Sequence, residues 1–335
     1  MPQARYAIPF LLALCLFAAF PALAAQIAGN ATVVDQAGRR IRAEPPFTRI
    51  ISLYGAHTEN LFALGAGERV VGVSPHDSYP PRVKEKQVFS YHDGPERFLA
   101  ADPDLVLIRP MIDRGYSKLI SRLESAGIAI ASLQPNTREE MIEYWKALGV
   151  LAGRRDEARA TVRAFRRGVG YARSLAGRVE EKKTVYFEAI HKQMKTFAPE
   201  SIAMFALRAA GGVNAAPDAW TVRGTNIAAF GKERILARAG SIDVYIAQKG
   251  PMNQPSKTGI RNEPGFGIIK AVRQGRICIV DEHLVSRPAP RLLLGIHAIG
   301  SCLYPDVFDS GAGRKLRGIV QTIYAAERRT THDRH

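Results

Sequence analysis

Apolar residues along the chain occur in short runs that alternate with longer segments of helical periodicity. Runs rich in β-branched residues predict strands over residues 50–53, 70–73, 104–108 and 128–132. Between them, amphipathic segments predict helices over residues 58–64 and 117–126, each followed by a glycine of the kind that commonly ends a helix. Strands that alternate with helices in this way are typical of a parallel sheet with crossover helices.

A long helical segment divides this alternation into two halves. Residues 154–180 have almost no strand signal, and a helix of about 25 residues would span roughly 37 Å. Strand and helix runs then resume, over residues 184–188, 201–210, 243–247 and 276–280. We therefore expect an α/β fold with two Rossmann-like lobes, each with a central, mainly parallel sheet. One long α-helix joins the lobes, and a ligand cleft lies between them.

The first 24 residues have the organisation of a secretory signal peptide. Arg5 supplies a positive charge, residues 7–20 are mostly apolar, and Ala22-Leu23-Ala24 is an A-x-A cleavage site. No other stretch reaches the ~18 apolar residues that a membrane span needs. The predicted divisions are a signal peptide over residues 1–24, an N-terminal lobe over 25–153, the inter-lobe helix over 154–180, a C-terminal lobe over 181–310 and a basic C-terminal tail over 311–335.

Charge and cysteine content add two expectations. The chain has a formal net charge of +16, but its basic residues are spread along predicted helices without interleaved aromatics, so we do not expect nucleic-acid binding. Signal-peptide removal takes Cys15 away and leaves Cys278 and Cys302. An oxidising compartment permits a disulfide between these two cysteines. Because the sequence does not place their Cβ atoms within bonding range, two buried free thiols remain an equal alternative.

Candidate binding residues follow the predicted strands, where open parallel sheets bind their ligands. They are Tyr54, His57, His76, Tyr91, His92, Arg109, His191, Trp220, Arg223 and Arg287. The histidines, with neighbouring aspartates and tyrosines, suit a transition metal, although their spacing fits no closed zinc site. The arginines suit bidentate contacts to carboxylate or phosphate. An anionic ligand that carries a metal would use both sets, and whether the metal binds directly or as a chelate stays open.

Catalytic signatures are absent from the sequence. It contains no G-x-S-x-G, no H-E-x-x-H and no phosphate-binding G-x-x-x-x-G-K-[ST]. Residues 65–67 differ from a dinucleotide loop because they lead from a helix into a strand. We therefore expect neither an enzyme nor a cofactor. The alternatives from other classes are a secreted metal-dependent enzyme that uses the same histidines, which would need an open metal position and a general base, and a sensor domain.

Six segments, in order along the chain, together resemble a known family. They are residues 49–53, 58–67, 70–73, 102–107, 210–214 and 287–291. The chain resembles the iron-siderophore and cobalamin class of periplasmic solute-binding proteins of ABC transporters, the type whose lobes are joined by one long helix. We expect a monomer, and the signal peptide predicts that it is in the periplasm. The resemblance implies a partner permease with a cytoplasmic ATPase. It also implies that Glu96 and Glu233, one in each half, dock onto arginines of the permease.

The sequence then favours capture of an iron complex: a siderophore, haem or a related metal chelate. Tyr91 stands where the cobalamin binder of this family has a tryptophan, and Gly55 and His57 also replace residues that are usual in the first loop. These departures favour an iron complex over cobalamin. The alternative ligands are a corrinoid and an oxyanion such as molybdate.

Overall fold

The computed structural model describes residues 25–29, 31–221 and 225–332, with only the backbone described for residues 326–332. The predicted signal peptide and Arg223 lie outside the described residues. The described part begins with a small antiparallel sheet of three strands, β1 (Gln26–Ala28), β2 (Thr32–Val34) and β3 (Arg40–Arg42). This sheet is tied to the first lobe by Asp35, whose carboxylate accepts a hydrogen bond from the backbone N–H of Ser132.

The N-terminal lobe is built on a parallel sheet of five strands in the order β6-β5-β4-β7-β8. The strands are β4 (Ile50–Ser52), β5 (Val70–Val73), β6 (Gln87–Val88), β7 (Leu105–Ile108) and β8 (Ala129–Ser132). The connecting helices are α1 (Gly55–Ala63), α2 (Pro95–Ala100), α3 (Pro110–Gly115) and α4 (Ser117–Ser125). Every residue of β4 and β7 is buried, as expected for central strands covered on both faces.

Two helices lead from this lobe to the next. They are α5 (Arg138–Leu151) and α6 (Arg155–Ala176), and the latter corresponds to the inter-lobe helix expected over residues 154–180. Helix α5 is capped at its N-terminus by Thr137, whose side chain accepts a hydrogen bond from the N–H of Glu140. The 22 residues of α6 span about 33 Å. The helix packs on α5 along one part and on C-terminal helices along another.

The C-terminal lobe contains a mixed sheet of seven strands. They are β9 (Thr184–Ile190), β10 (Lys195–Phe197), β11 (Val213–Asn214), β12 (Trp220–Thr221), β13 (Ile227–Ala229), β14 (Val244–Lys249) and β15 (Ile277–Asp281). Strands β9, β14, β15 and β11 pair in parallel, whereas β10, β13 and β12 form an antiparallel extension at one side. The two-lobed α/β fold is confirmed, and the antiparallel extension is the feature that the sequence did not predict.

Seven helices complete the described chain. They are α7 (Ile202–Ala209), α8 (Lys232–Ala237), α9 (Lys257–Asn262), α10 (Lys270–Arg273), α11 (Glu282–Val285), α12 (Leu292–Leu303) and α13 (Ser310–His332). Helix α13 occupies the segment expected to be a basic tail. It is packed on α1, α6 and α12, and Leu316, Val320 and Tyr324 are buried in the hydrophobic core. None of the helices in the described residues is long and apolar enough to cross a bilayer.

The hydrophobic core is continuous from one lobe to the other. A single cluster of buried side chains includes Ile50 of the first sheet, Phe165 of α6, Val185 of the second sheet and Leu316 of α13. The close approach of α6 to α12 needs a glycine, because a Cβ on Gly168 would lie 2.6 Å from a methyl carbon of Leu293. The lobes are therefore joined through a packed core rather than by the helix alone.

Cys278 of β15 and Cys302 of α12 form a disulfide. Their Cα atoms lie 6.3 Å apart, within the range that a disulfide spans. Of the two states left open by the sequence, the structure shows the bonded one. The bond fastens the last strand of the second sheet to the helix that covers it.

Candidate ligand-binding cleft

The first lobe has a topological switch point between β4 and β7. The chain runs from β4 outward through β5 and β6, then returns to the other side of β4 as β7. Tyr54 follows β4 and Arg109 follows β7, so both lie at the carboxyl ends of these two adjacent strands. The Arg109 guanidinium carbon is 4.6 Å from the centre of the Tyr54 ring, a cation–π contact. Ligands of open α/β sheets bind at such a switch point.

Arg287 brings a second guanidinium to the same place from the C-terminal lobe. Its side chain is 11% exposed, and its Nη1 atom is 3.9 Å from a carboxylate oxygen of Glu59. Gly55 makes room for it, because a Cβ at that position would be 2.8 Å from Nη1 of Arg287. Burial raises the pKa of the Tyr54 hydroxyl, and the charges of Arg109 and Arg287 oppose this rise. Residues far apart in sequence therefore converge on Tyr54.

Several buried hydrogen-bond groups around this point have no partner within the described residues. They are Nε of Arg109, Nη1 of Arg287 and Nε2 of His283. Burial, followed by the positive charge of Arg287, lowers the pKa of His283. Buried polar groups in proteins are nearly always hydrogen-bonded, so unpaired donors that converge mark a place where a ligand or water supplies acceptors.

Two carboxyl groups beside the cleft have raised pKa values because of burial. Glu282 belongs to α11, and one of its oxygens accepts a hydrogen bond of 3.1 Å from the backbone N–H of Met252. Asp77 accepts hydrogen bonds from Ser74 and Thr58, which lower its pKa but do not offset the effect of burial. The charge of Arg287 acts on both carboxyl groups and lowers their pKa values, against the effect of burial.

An aromatic cluster borders the same edge of the first lobe. The ring centres of Tyr91 and His92 are 4.5 Å apart, and those of Tyr91 and Tyr116 are 4.8 Å apart. The Tyr116 hydroxyl and Nδ1 of His92 are 3.2 Å apart. Met111 of α3 is 45% exposed. Tyr116 was missed by the sequence reasoning because it lies between two short helices rather than directly after a strand.

The position of His57 differs from the expectation. It was expected to contact ligand, but it is fully buried, with Nδ1 2.7 Å from the Tyr144 hydroxyl and Nε2 3.0 Å from the carbonyl oxygen of Ile108. Burial lowers the pKa of His57 to about 3. The residue faces inward from α1 and joins that helix to β7 and α5. Its role is structural.

The other predicted residues occupy separate places. His76 is exposed on the turn after β5. Trp220 is 54% exposed on the edge strand β12, where the Arg234 guanidinium lies 5.0 Å from its ring centre. His191 hydrogen-bonds the buried Glu188 through Nδ1 at 2.7 Å, and this bond raises the pKa of His191. None of these three has a described contact with Tyr54, Arg109 or Arg287.

Glu59 was also missed, although it is central to the joint between the lobes. Its side chain has no exposed surface, and its two oxygens accept hydrogen bonds of 2.8 and 2.7 Å from Arg291. The Tyr324 hydroxyl donates a third, at 2.8 Å. Glu59 stands among His57, Thr58 and Asn60 in α1, so no contrast with apolar neighbours marked it in the sequence. Because Arg291 makes both guanidinium hydrogen bonds to Glu59, Nη1 of Arg287, 3.9 Å from Glu59, has no hydrogen-bond acceptor within the described residues.

The two glutamates expected to dock the permease have matching settings. Glu96 lies in the first turn of α2 and Glu233 in the first turn of α8, and both are exposed. Each follows a glycine that precedes its helix, Gly94 or Gly231. Both helices have six residues. The two halves therefore present one carboxylate each in an equivalent local structure.

No cluster of three or more His, Cys, Asp or Glu side chains placed to hold a metal occurs in the described part of the chain.

The family model for periplasmic binding proteins matches residues 50–284. The chain belongs to the periplasmic binding protein family. The predicted family is thereby confirmed.

Relatives of the chain match it over most of their own length. An uncharacterized ABC transporter substrate-binding lipoprotein, YvrC of Bacillus subtilis, is 26% identical over 83% of this chain and 86% of its own. A cobalamin-binding protein of Halobacterium salinarum is 24% identical over 78% of this chain and 71% of its own. The crystal structure of a possible iron-binding, periplasmic solute-binding protein from Staphylococcus epidermidis matches with a TM-score of 0.68, at 28% identity, over 77% of this chain and 99% of that one.

Proposed function

We propose that the protein binds an anionic iron chelate between its lobes and delivers it to an ABC permease with a cytoplasmic ATPase. The observation that carries this proposal is the meeting of Arg109 and Arg287, from opposite lobes, at Tyr54. Both arginines retain buried N–H groups without acceptors in the described residues. A buried N–H group of a charged side chain is costly without an acceptor, and a carboxylate or catecholate oxygen of a ligand would remove that cost.

The aromatic cluster explains why a chelate fits better than a small oxyanion. Tyr91, His92 and Tyr116 offer ring surface at the edge of the first lobe, and aromatic faces pack against large flat ligands. Molybdate would use only charges and backbone N–H groups. The similarity to a possible iron-binding protein of Staphylococcus epidermidis supports an iron complex. The described residues hold no metal-ligating cluster, so we expect the metal to arrive already chelated.

Purification from the native host tests this proposal. The protein is isolated without added ligand, and the small molecule that accompanies it is identified by mass spectrometry and elemental analysis. The apoprotein is then titrated with a ferric catecholate siderophore, haemin, cyanocobalamin and molybdate. Iron in the native preparation and tight binding of an iron complex support the proposal. Binding of cyanocobalamin alone would replace it with the corrinoid alternative, which the similarity to a cobalamin-binding protein favours.

Delivery would use Glu96 and Glu233 as the contacts to arginines of the permease. Their equivalent, exposed positions on α2 and α8 support this assignment. Replacement of both by alanine should abolish uptake into cells and leave ligand affinity unchanged. Loss of affinity would contradict the assignment, because it would place these residues in ligand binding instead.

We also place the mature protein in the periplasm as a monomer, after export and cleavage near Ala24. The signal-peptide pattern of the sequence and the family membership support this location. N-terminal sequencing of the protein from the periplasmic fraction should begin at Ala25. A chain that retains residues 1–24, or a protein found in another fraction, would contradict the placement.

A further inference from the structure

The solvent face of the inter-lobe helix α6 is lined with arginine. Arg159, Arg163, Arg166, Arg167 and Arg173 are all exposed, and we call these five residues the basic ridge. Because an α-helix turns 100° per residue, they fall within roughly one third of its circumference and extend over about 21 Å. The opposite face of α6 is buried in the core. The ridge is therefore fixed on a rigid support.

The ridge carries almost no compensating negative charge. Residues 158–179 contain no aspartate or glutamate. Arg159 pairs with Asp156 at 3.1 Å, but Arg163, Arg166 and Arg167 have no ion pair with any described residue. Unpaired cations held close together repel one another, so a polyanion that neutralises them is strongly attracted.

Helix α13 extends this positive surface. The Lys315 ammonium lies 3.9 Å from the centre of the Tyr171 ring of α6, which places the exposed basic start of α13 beside the ridge. Arg314 and Arg317 are exposed on the same helix. Residues 310–326 contain no acidic residue. The two helices together form an extended cationic surface and not a concave site.

The chemistry of this surface favours lipid over protein. Protein interfaces have an apolar centre. The large apolar side chains exposed in the described residues all lie outside α6 and α13, at Ile27, Val88, Leu99, Met111, Val213, Trp220, Met252 and Ile268. Adsorption to an anionic bilayer requires only clustered cations, each contributing about a five-fold gain in binding. Guanidinium groups also match phosphate oxygens in geometry.

We propose that the basic ridge docks the protein on an anionic phospholipid surface. This surface is separate from the cleft residues Tyr54, Arg109 and Arg287 and from the exposed glutamates of α2 and α8. A protein adsorbed in this way would search for its permease along a membrane and not through the whole aqueous compartment. The contact is electrostatic, so it weakens as salt is added.

Vesicle flotation tests the proposal with the full mature protein. Vesicles contain phosphatidylcholine alone or phosphatidylcholine mixed with phosphatidylglycerol. The ridge variant is Arg163→Gln/Arg166→Gln/Arg167→Gln. The control, Arg122→Gln/Arg261→Gln/Arg276→Gln, removes the same charge from exposed positions elsewhere. Thermal unfolding and ligand titration of each variant show that fold and cleft are intact, so a failure here is distinct from a failure of the proposed function.

We expect wild type to float only with anionic vesicles, and less at high salt. The ridge variant should lose on the order of 100-fold in partitioning, whereas the control keeps most of it. Equal losses in the two variants would show that net charge alone acts, and would overturn the proposal. So would absence of wild-type binding to anionic vesicles. Binding of an acidic polypeptide such as polyglutamate without vesicle binding would overturn it in favour of a protein partner.

Discussion

The ion pair between Glu59 and Arg291 should be a main stabilising contact between the lobes. Glu59 lies on α1 of the first lobe, has no exposed surface, and accepts two hydrogen bonds from Arg291 at under 3 Å. The Arg291 guanidinium also lies 3.9 Å from the centre of the Tyr79 ring. Arg291→Met removes the charge and keeps much of the aliphatic volume. Among the described residues, Glu59 would then retain Tyr324 and, at 3.9 Å, Arg287 as polar partners.

The size of the effect follows from this geometry. Removal of one partner from a buried ion pair costs about 3–5 kcal/mol. Arg287, with Nη1 3.9 Å from Glu59, compensates in part, so we expect about 3 kcal/mol of lost unfolding free energy, and a fall in Tm on the order of 6 °C. The double variant Glu59→Leu/Arg291→Met removes both charges. It should recover more than half of the loss, because apolar replacement of a buried pair is often neutral.

Urea unfolding followed by tryptophan fluorescence measures these differences. Trp145 is a suitable probe, because its Nε1 donates a hydrogen bond of 3.0 Å to the carbonyl oxygen of Pro288, across the joint between the lobes. Arg42→Met is the matched control, since its ion pair with Glu44 is 75% and 67% exposed, and its loss should cost less than about 1 kcal/mol. An Arg291→Met variant as stable as the control, or a double variant no more stable than the single one, would refute the reasoning.

Three further predictions concern the cleft, pH and the disulfide. Gly55→Ala should displace Arg287, because the new Cβ would lie 2.8 Å from Nη1 of Arg287. Titration should then show more than about ten-fold weaker ligand binding. An unchanged affinity would contradict this prediction. His57 has a pKa lowered to about 3 by burial, so stability is lost as pH falls from about 6.5 towards 3, by about 2 kcal/mol between pH 6.5 and 5. Urea unfolding of His57→Gln should be less pH-dependent than that of wild type, and parallel profiles would argue against the assignment. Cys278→Ser/Cys302→Ser should lose about 3 kcal/mol of unfolding free energy, and the wild type should lose the same amount under reducing agent. If reducing agent leaves the urea-unfolding midpoint of the wild type unchanged, the disulfide does not stabilise the fold as predicted.

The strands and the switch-point residues could be predicted because they are local features. The apolar runs mark β4 and β7, and Tyr54 and Arg109 follow them directly. Arg287 was one of several candidates in the second lobe, and the sequence could not show which of these candidates faces Tyr54 and Arg109. The approach of Arg287 depends on how residues 287–291 pack onto α1, with the Pro288 carbonyl accepting a hydrogen bond from Asn60 at 2.9 Å. That contact joins residues more than two hundred positions apart.

Two errors had signals in the sequence. His57 was read as a loop residue because it follows the first strand, yet it already lies in α1, on the same face as Leu61 four residues later. Helix α13 was read as a basic tail because of its arginines and lysines. Its apolar residues at 316, 320, 323 and 324 recur at helical spacing and mark a buried stripe. The helical spacing of these apolar residues, and not the number of basic residues, determines how α13 packs.

Binding of a ferric chelate to cleft variants tests the central claim most directly. Arg109→Gln and Arg287→Gln each remove one of the two guanidinium groups that meet at Tyr54, and Arg122→Gln removes an exposed one on α4 as the control. Calorimetric titration should show at least about ten-fold weaker binding for each cleft variant, and wild-type affinity for the control. Wild-type affinity in both cleft variants would contradict a ligand site between the lobes.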